Sequence, residues 1–276
     1  MTTPKSRALK KAAGQNLRGC FGKSVSAFII TVFAFAAITV LEGFLRILLD
    51  CPYFFTVDGK LYYNLSAVSL LLILGNLLLV YMIHEPLKLS LKGYFLNLAC
   101  QKRTRLLSLT DTFSTFRGYR AAFALSVKLS LLKLFWIFVL FVPVELLGLA
   151  VILLLKTELA DTSRVALRIM ICAFALFNLL ELFLLTIIQN RYFLAPYLLI
   201  SNNAYSSRDA LKKSKALMKG NLRKVYFLHL SYLGQRWLLV FLLPAIFIVP
   251  IFDAAKAELA KNLMFFSCDN SNKHLI

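Results

Sequence analysis

A 276-residue chain that is 59% hydrophobic and only 16% charged, with a mean hydropathy of +0.73, does not have the composition of a soluble domain. Its apolar residues fall in long runs, and no polar stretch between them is long enough to bury a core, so it reads as one integral-membrane domain, 1–276. The formal charge of +19 would suit a nucleic-acid partner, but the basic residues lie in short segments between apolar runs with no folded surface to present them, and nucleic acid is set aside.

At the N-terminus, Ala8, Leu9, Ala12 and Ala13 form a helical stripe with Lys10, Lys11 and Arg18 off it, which predicts an amphipathic interfacial helix over 6–18. The apolar run that follows continues past Ala34-Phe35-Ala36 to Leu49. That is longer than the apolar region of a signal peptide, so 25–49 reads as an uncleaved first span. Glu42 and Arg46, four apart near its outer end, form a local pair. The second span is 65–83, where Asn76 beside Gly75 suits helix packing.

Pro86 then bends the chain away, and the largely apolar stretch 87–100, with Lys88 and Lys92, predicts a second interfacial helix. A third span is expected over 129–155. Pro143 is the point at which it would split into two half-crossings, which keeps six spans as the alternative to five. The fourth span is 169–199 and the fifth 225–251. Between them, Ser206 and Asp209 have the spacing of a capping box, and Gly220 supplies a stop, which predicts a third interfacial helix over 207–219. On it Ala210, Leu211, Ser214, Leu217 and Met218 share a face, with Arg208, Lys212, Lys215 and Lys219 opposite. Ala8-Leu9-Lys10-Lys11 recurs as Ala210-Leu211-Lys212-Lys213, each copy followed by a basic-Gly pair and then a span, in the manner of a parallel repeat.

Charge orients this threading. The segments 1–24, 84–128 and 190–224 carry +6, +6 and +7, the whole surplus, while the alternate segments 50–64, 156–168 and 252–276 carry −1, +1 and 0. Five helices with the N-terminus inside and the C-terminus outside place every basic segment in the cytoplasm. The fold class is therefore all-α, a polytopic transmembrane bundle with amphipathic interfacial helices. Anionic lipid contacts are expected at Lys10, Lys11, Arg208, Lys212, Lys215 and Lys219.

Within the spans, Glu145, Glu181 and Arg236 all fall near mid-bilayer at helical rise, and a buried charge cluster assisted by Asn178 and Gln235 is the candidate site. The five cysteines are scattered without a CxxC pair, and no second histidine stands at metal spacing from His84 or His229, so no metal is assigned. No nucleophile motif, phosphate-binding loop or dinucleotide fingerprint is present, and neither a catalytic residue nor a cofactor is assigned.

Arg191-Tyr192, Ala195-Pro196-Tyr197, Ala210 to Lys215, Leu217 to Asn221 and Phe227-Leu228 with Leu230-Ser231 together resemble a bacterial integral-membrane family, domain of unknown function 975. Leu9-Lys10-Lys11, Gly22-Lys23, Phe113, Phe116, Trp136 and Pro143 extend the resemblance over most of the chain. The family is itself similar to the membrane region attached to some glycerophosphodiester phosphodiesterases. The resemblance implies fold and location and carries no catalytic residue. Residues 144–189 depart from it as an insert containing most of a span.

The leading expectation is a non-enzymatic accessory or scaffold of the bacterial cytoplasmic membrane, with membrane lipids and a second membrane protein as partners. The alternative is a small transporter or lipid-handling permease working through the mid-membrane Glu/Arg cluster.

Overall fold

A computed structural model describes residues 6–57, 60–64, 66–102, 104–156, 164–201, 205–232, 234 and 242–273. The described chain is a helical bundle: α1 (Ser6–Leu17), α2 (Phe21–Leu48), α3 (Ala67–Leu79), α4 (Glu85–Ala99), α5 (Asp111–Ser114), α6 (Phe116–Lys156), α7 (Arg164–Asn190), α8 (Ala195–Ser201), α9 (Ser207–Met218), α10 (Leu222–Ser231) and α11 (Leu242–Lys273). One departure from all-α, absent from the sequence expectation, is an antiparallel hairpin after α2. Its strands β1 (Phe54–Val57) and β2 (Lys60–Tyr63) pair Phe54 with Tyr63 and flank Asp58-Gly59, a dipeptide favoured at tight hairpin turns.

Among the described residues, four stretches are long and apolar enough to cross a membrane: Phe21–Leu48, Ala67–Ala99, Phe116–Leu146 and Ile169–Ser201. They turn large apolar side chains outward, Phe33 at 72% and Ile47 at 82% exposure, as helices solvated by lipid do. They form two hairpins, α2 with α3 and α6 with α7. The second is closed by Gly148, where a Cβ would stand 2.6 Å from the Phe174 ring.

The buried core lies mostly at one end of these spans, and α4 is its centre. Leu87, Leu89, Leu91, Tyr94, Phe95, Leu96 and Leu98 are all buried, so the helix is apolar over most of its surface and needs a sheath there, with Glu85, Lys88 and Lys92 left as a polar stripe. α1, α2, α6, α8 and α11 supply it. This corrects the expectation of an in-plane helix at 87–100. Pro86 does not bend the chain away, because it sits in the first turn of α4, where its missing N–H costs nothing, and a π-helical turn (Val80–His84) carries α3 directly into α4. Pro143 likewise does not split its span, since α6 runs through it, and the six-crossing alternative loses its basis.

The expected fifth crossing is also revised. Residues 225–251 are divided between α10 and α11, and both flanks meet the N-terminal end of the bundle. Lys10 Nζ donates to the Ser231 carbonyl at 2.5 Å, and the Phe247 ring stacks on Phe21 with centroids 6.2 Å apart. The intervening 15 residues, 232–246, reach about 50 Å when fully extended. Crossing a hydrocarbon core of about 30 Å and returning needs about 60 Å. Beyond this, Ala254, Ala257, Glu258 and Leu263 of α11 are buried, and the helix lies along α1 and α4. Asn16 donates to Glu258 at 3.2 Å, and Lys261 to the Ala99 carbonyl at 2.8 Å. The C-terminal helix therefore sits at the same end as the N-terminus, not at the opposite one.

The repeat suggested by Ala-Leu-Lys-Lys is present in the fold, but in another register. α1 and α9 each span 12 residues and start 201 positions apart, and each stops before a glycine at positive φ, Gly19 at +79° and Gly220 at +86°. Leu9, Ala13, Leu17, Ser24, Ala27 and Thr31 are buried, and so, 201 positions on, are Ala210, Ser214, Met218, Val225, Leu228 and Tyr232. The four-residue identity is spaced by 202, one residue out of step with these equivalents. The recurrence is one of burial pattern and glycine stop rather than of residue identity.

This arrangement predicts that cysteines in the double variant Asn16→Cys, Glu258→Cys cross-link readily in intact membranes, and that reporters at the two termini face the same compartment. Opposite-side reporters with no cross-link would refute the four-crossing arrangement.

Candidate anion-binding cavity

The close approach of α8 to α4 positions the site. A Cβ at Gly93 would stand 2.9 Å from Ile200, so glycine is what lets the two helices meet closely. Leu194, Ala195, Tyr197 and Leu198 are consequently buried where α7 turns into α8. Two cavities open beside this contact, between α4 and α6 and reaching the end of α7. The first holds about 280 Å³ and the second about 260 Å³, and they share Lys92, Leu129, Lys133 and Pro196 in their walls.

The first cavity adds Lys256 of α11, with Asn190, Tyr192, Tyr197 and Trp136 as further polar or aromatic groups. The second adds Lys88, Glu85, Ser126 and Ser130. Their lining is thus cationic and rich in hydrogen-bond donors on an apolar base. Lys88 pairs with Glu85 at 3.1 Å, and Lys256 with Asp253 at 2.9 Å. Among the described residues no ion pair forms at Lys92 or Lys133. Such a pocket between spans, at the end where the basic segments gather, is chemically suited to anionic headgroups.

A family model described as a protein of unknown function (DUF975) matches residues 1–264. The chain belongs to this family. No curated protein and no solved structure matches it.

Four of the expected lipid-contacting residues of this DUF975 chain, Arg208, Lys212, Lys215 and Lys219, stand exposed along α9, as does Lys11 on α1. Lys10 does not share their position. It is partly buried, caps α10 through the Ser231 carbonyl, and lies 4.1 Å above the Tyr232 ring. Burial lowers its ammonium below the ordinary lysine value and pushes the Tyr232 phenol up to about 12.

The apolar face of α9, expected to enter the acyl boundary, instead packs on protein. Ser207, Ala210, Ser214 and Met218 are buried against neighbours that include α8 and α6, and Ser214 Oγ donates to the Arg191 carbonyl at 3.1 Å. The capping box forms as expected. The Ser206 hydroxyl and backbone N–H hold the Asp209 carboxyl below the usual carboxylate range.

The mid-membrane cluster fares differently. Glu181 is buried at 5% exposure, with neither carboxylate oxygen hydrogen-bonded among the described residues, and Glu145, on the facing helix α6, is exposed. Asn178 gives its amide to the Phe174 carbonyl of its own helix at 3.0 Å rather than to a carboxylate. Gln235 and Arg236 lie outside the described residues. Among the described residues no group of three or more His, Cys, Asp or Glu side chains is placed to hold a metal ion.

Glu42 and Arg46 prove more than a local pair. Arg46 Nε donates to Glu42 at 2.9 Å and NH1 to Ser69 of α3 at 3.0 Å. Asn76, also of α3, donates to the other Glu42 oxygen, and the guanidinium lies 3.8 Å from the Tyr53 ring centroid. Both charges are almost fully buried, so the network locks α2 to α3.

Of the cavity-lining residues, the sequence reading passes over Lys133 and Lys256, and it names Tyr197 and Trp136 only within the family resemblance. Lys133 carried a usable signal, because an unexplained charge inside an apolar run marks function by default. Lys256 carried none, since only the fold brings α11 to α4.

Removing one partner of the outer network leaves the other charge buried and unpaired, which costs about 3–5 kcal/mol. Arg46→Ala should therefore unfold at markedly lower temperature in detergent, and the double variant Glu42→Leu, Arg46→Met should recover most of the loss. Equal melting of Arg46→Ala and the unaltered protein would contradict the network.

Proposed function

We propose that this DUF975 protein is a non-enzymatic accessory or scaffold of the bacterial cytoplasmic membrane that gathers anionic lipid at its basic face. In this reading it crosses the membrane four times with both termini in the cytoplasm, the side that the excess of Lys and Arg prefers. One observation carries the reading. The lysine-lined cavities open at the same end of the bundle as the exposed basic face of α9, so a lipid headgroup meets cations both on the surface and in a recess.

The magnitudes suit weak, collective attraction rather than catalysis. Each lysine or arginine near an anionic surface contributes about 1 kcal/mol, so Arg208, Lys212, Lys215 and Lys219 together make a substantial but salt-sensitive clamp. A partner membrane protein would find the same face. The alternative, a lipid-handling permease, is favoured by the burial of Glu181 without a hydrogen-bond partner among the described residues, since an intramembrane carboxyl group can carry a proton through a transport cycle.

In nanodiscs, the protein should retain phosphatidylglycerol over phosphatidylcholine when released lipids are quantified by mass spectrometry. The preference should weaken at high salt and fall several-fold when Arg208, Lys212, Lys215 and Lys219 are all changed to Gln. Equal retention of the zwitterionic lipid would overturn the proposal. Lipid or proton flux into protein-containing vesicles that Glu181→Gln abolishes would favour the permease.

A further inference from the structure

We infer that the two joined cavities form a single site for a phosphomonoester, held between Lys92 of α4 and Lys133 of α6. The inference rests on the anionic-lipid reading above and narrows it from anions in general to one headgroup chemistry.

The charge inventory of the walls points this way. Of the four ammonium groups lining the cavities, Lys88 and Lys256 each already have a carboxylate partner, Glu85 and Asp253. Lys92 and Lys133 face both cavities and form no ion pair or hydrogen bond among the described residues. Lys92 is half-buried and Lys133, on the facing helix, is exposed, and apolar Leu129 lines both cavities beside them. An anion seated between these two ammonium groups gains two charge-assisted hydrogen bonds.

The charge to be neutralised is two. A phosphodiester, as in phosphatidylglycerol, carries one negative charge and buries two of its four oxygens in ester links. A phosphomonoester carries about −1.5 to −2 at neutral pH and offers three strong acceptor oxygens. The donors on hand match three acceptors. Beyond the two lysines, the walls present Asn190, Tyr192 and the Trp136 indole in one cavity and Ser126 and Ser130 in the other. Leu129, Leu132 and Ile188 supply an apolar wall on the spans α6 and α7, where a lipid chain would lie. The ligand is a phosphomonoester whose source is either a lipid such as phosphatidate or free phosphate.

The test uses the full-length protein in phosphatidylcholine nanodiscs, plain or doped with phosphatidate or with phosphatidylglycerol, and the plain discs again with inorganic phosphate. Thermal stability and retained lipid are both read. The expected result is that phosphatidate stabilises the protein more than phosphatidylglycerol does. Lys92→Gln and Lys133→Gln should each weaken the phosphatidate response about tenfold, as the loss of one charge-assisted hydrogen bond implies. Lys88→Gln, whose lysine is already paired, should change it little. Should Lys92→Gln not fold, Lys133→Gln, on an exposed position of α6, decides the matter alone.

Stabilisation by inorganic phosphate, lost in the same two variants, would also support the site and identify its source as free phosphate. Equal responses to phosphatidate and phosphatidylglycerol, both above plain discs, would overturn the phosphomonoester inference and leave the anionic-lipid reading standing. No response to either lipid or to phosphate would overturn both. A phosphatidate preference that survives in Lys133→Gln would overturn the assignment of the site.

Discussion

The sheathing of α4 is the constraint on which the rest of this protein depends. A 15-residue helix that is apolar outside the stripe of Glu85, Lys88 and Lys92 must cover the rest of its surface with lipid or with protein. Here it is protein, because the chain wraps α1, α2, α6, α8 and α11 about it. Small residues make that wrapping close: Gly93 admits Ile200, and Ala254, Ala255, Ala257 and Ala260 are all buried on α11, which lies along α4 and α1. The four spans, by contrast, are buried inside the protein over no more than 22% of their most apolar windows, so most of their surface is left to lipid. Two solvents thus act on one chain, with water-type core packing at one end and lipid-facing helices beyond it.

The basic surplus is divided by the same geometry. Counted along the sequence, every lysine and arginine in the three positive segments looks like a topology signal. In the fold, some are spent on structure. Lys10 neutralises the carbonyl end of α10, and Lys224 is hydrogen-bonded to Asn221 and partly desolvated, while Lys128 donates to Ser207 at 2.6 Å, tying α6 to α9. In the C-terminal segment of zero net charge, Lys261 does for α4 what Lys10 does for α10, placing a cation where the helix dipole is negative. The basic residues left without such a structural role include those on the outer face of α9 and Lys92 and Lys133 in the cavity walls. Net charge by segment therefore overstates the charge that is free of a structural role.

What was legible in the sequence was what depends on local pattern. The capping box at Ser206, the glycine stop at Gly220 and the buried stripe of α9 follow from spacing alone, and apolar run length found the four crossing stretches. What was not legible depends on which solvent an apolar face meets. Hydropathy gives 87–100 and 225–251 the same reading as lipid-facing helices, although the first is largely buried in protein and both described flanks of the second meet the N-terminal end of the bundle. Proline misled twice for a positional reason: at Pro86 it fills a first turn that has no hydrogen bond to lose, and at Pro143 the helix absorbs it. The cavity was hidden because its walls come from α4, α6, α8 and α11, far apart in sequence. Only Lys133 advertised itself.

The two span hairpins meet chiefly through the π-turn after α3 and through α4, with Tyr119 donating to the Met82 carbonyl at 3.0 Å as one link. Among the described residues nothing comparable joins α2 to α7. Each hairpin is tied internally, the first by the Glu42–Arg46–Asn76 network and the second by Gly148 against Phe174. The cavities lie at this junction, walled by α4 of the first hairpin's continuation and by α6 of the second. An anion bridging Lys92 and Lys133 would act across the joint rather than within either hairpin. In such an arrangement, whatever stabilises the bound headgroup also stabilises this junction by the same free energy.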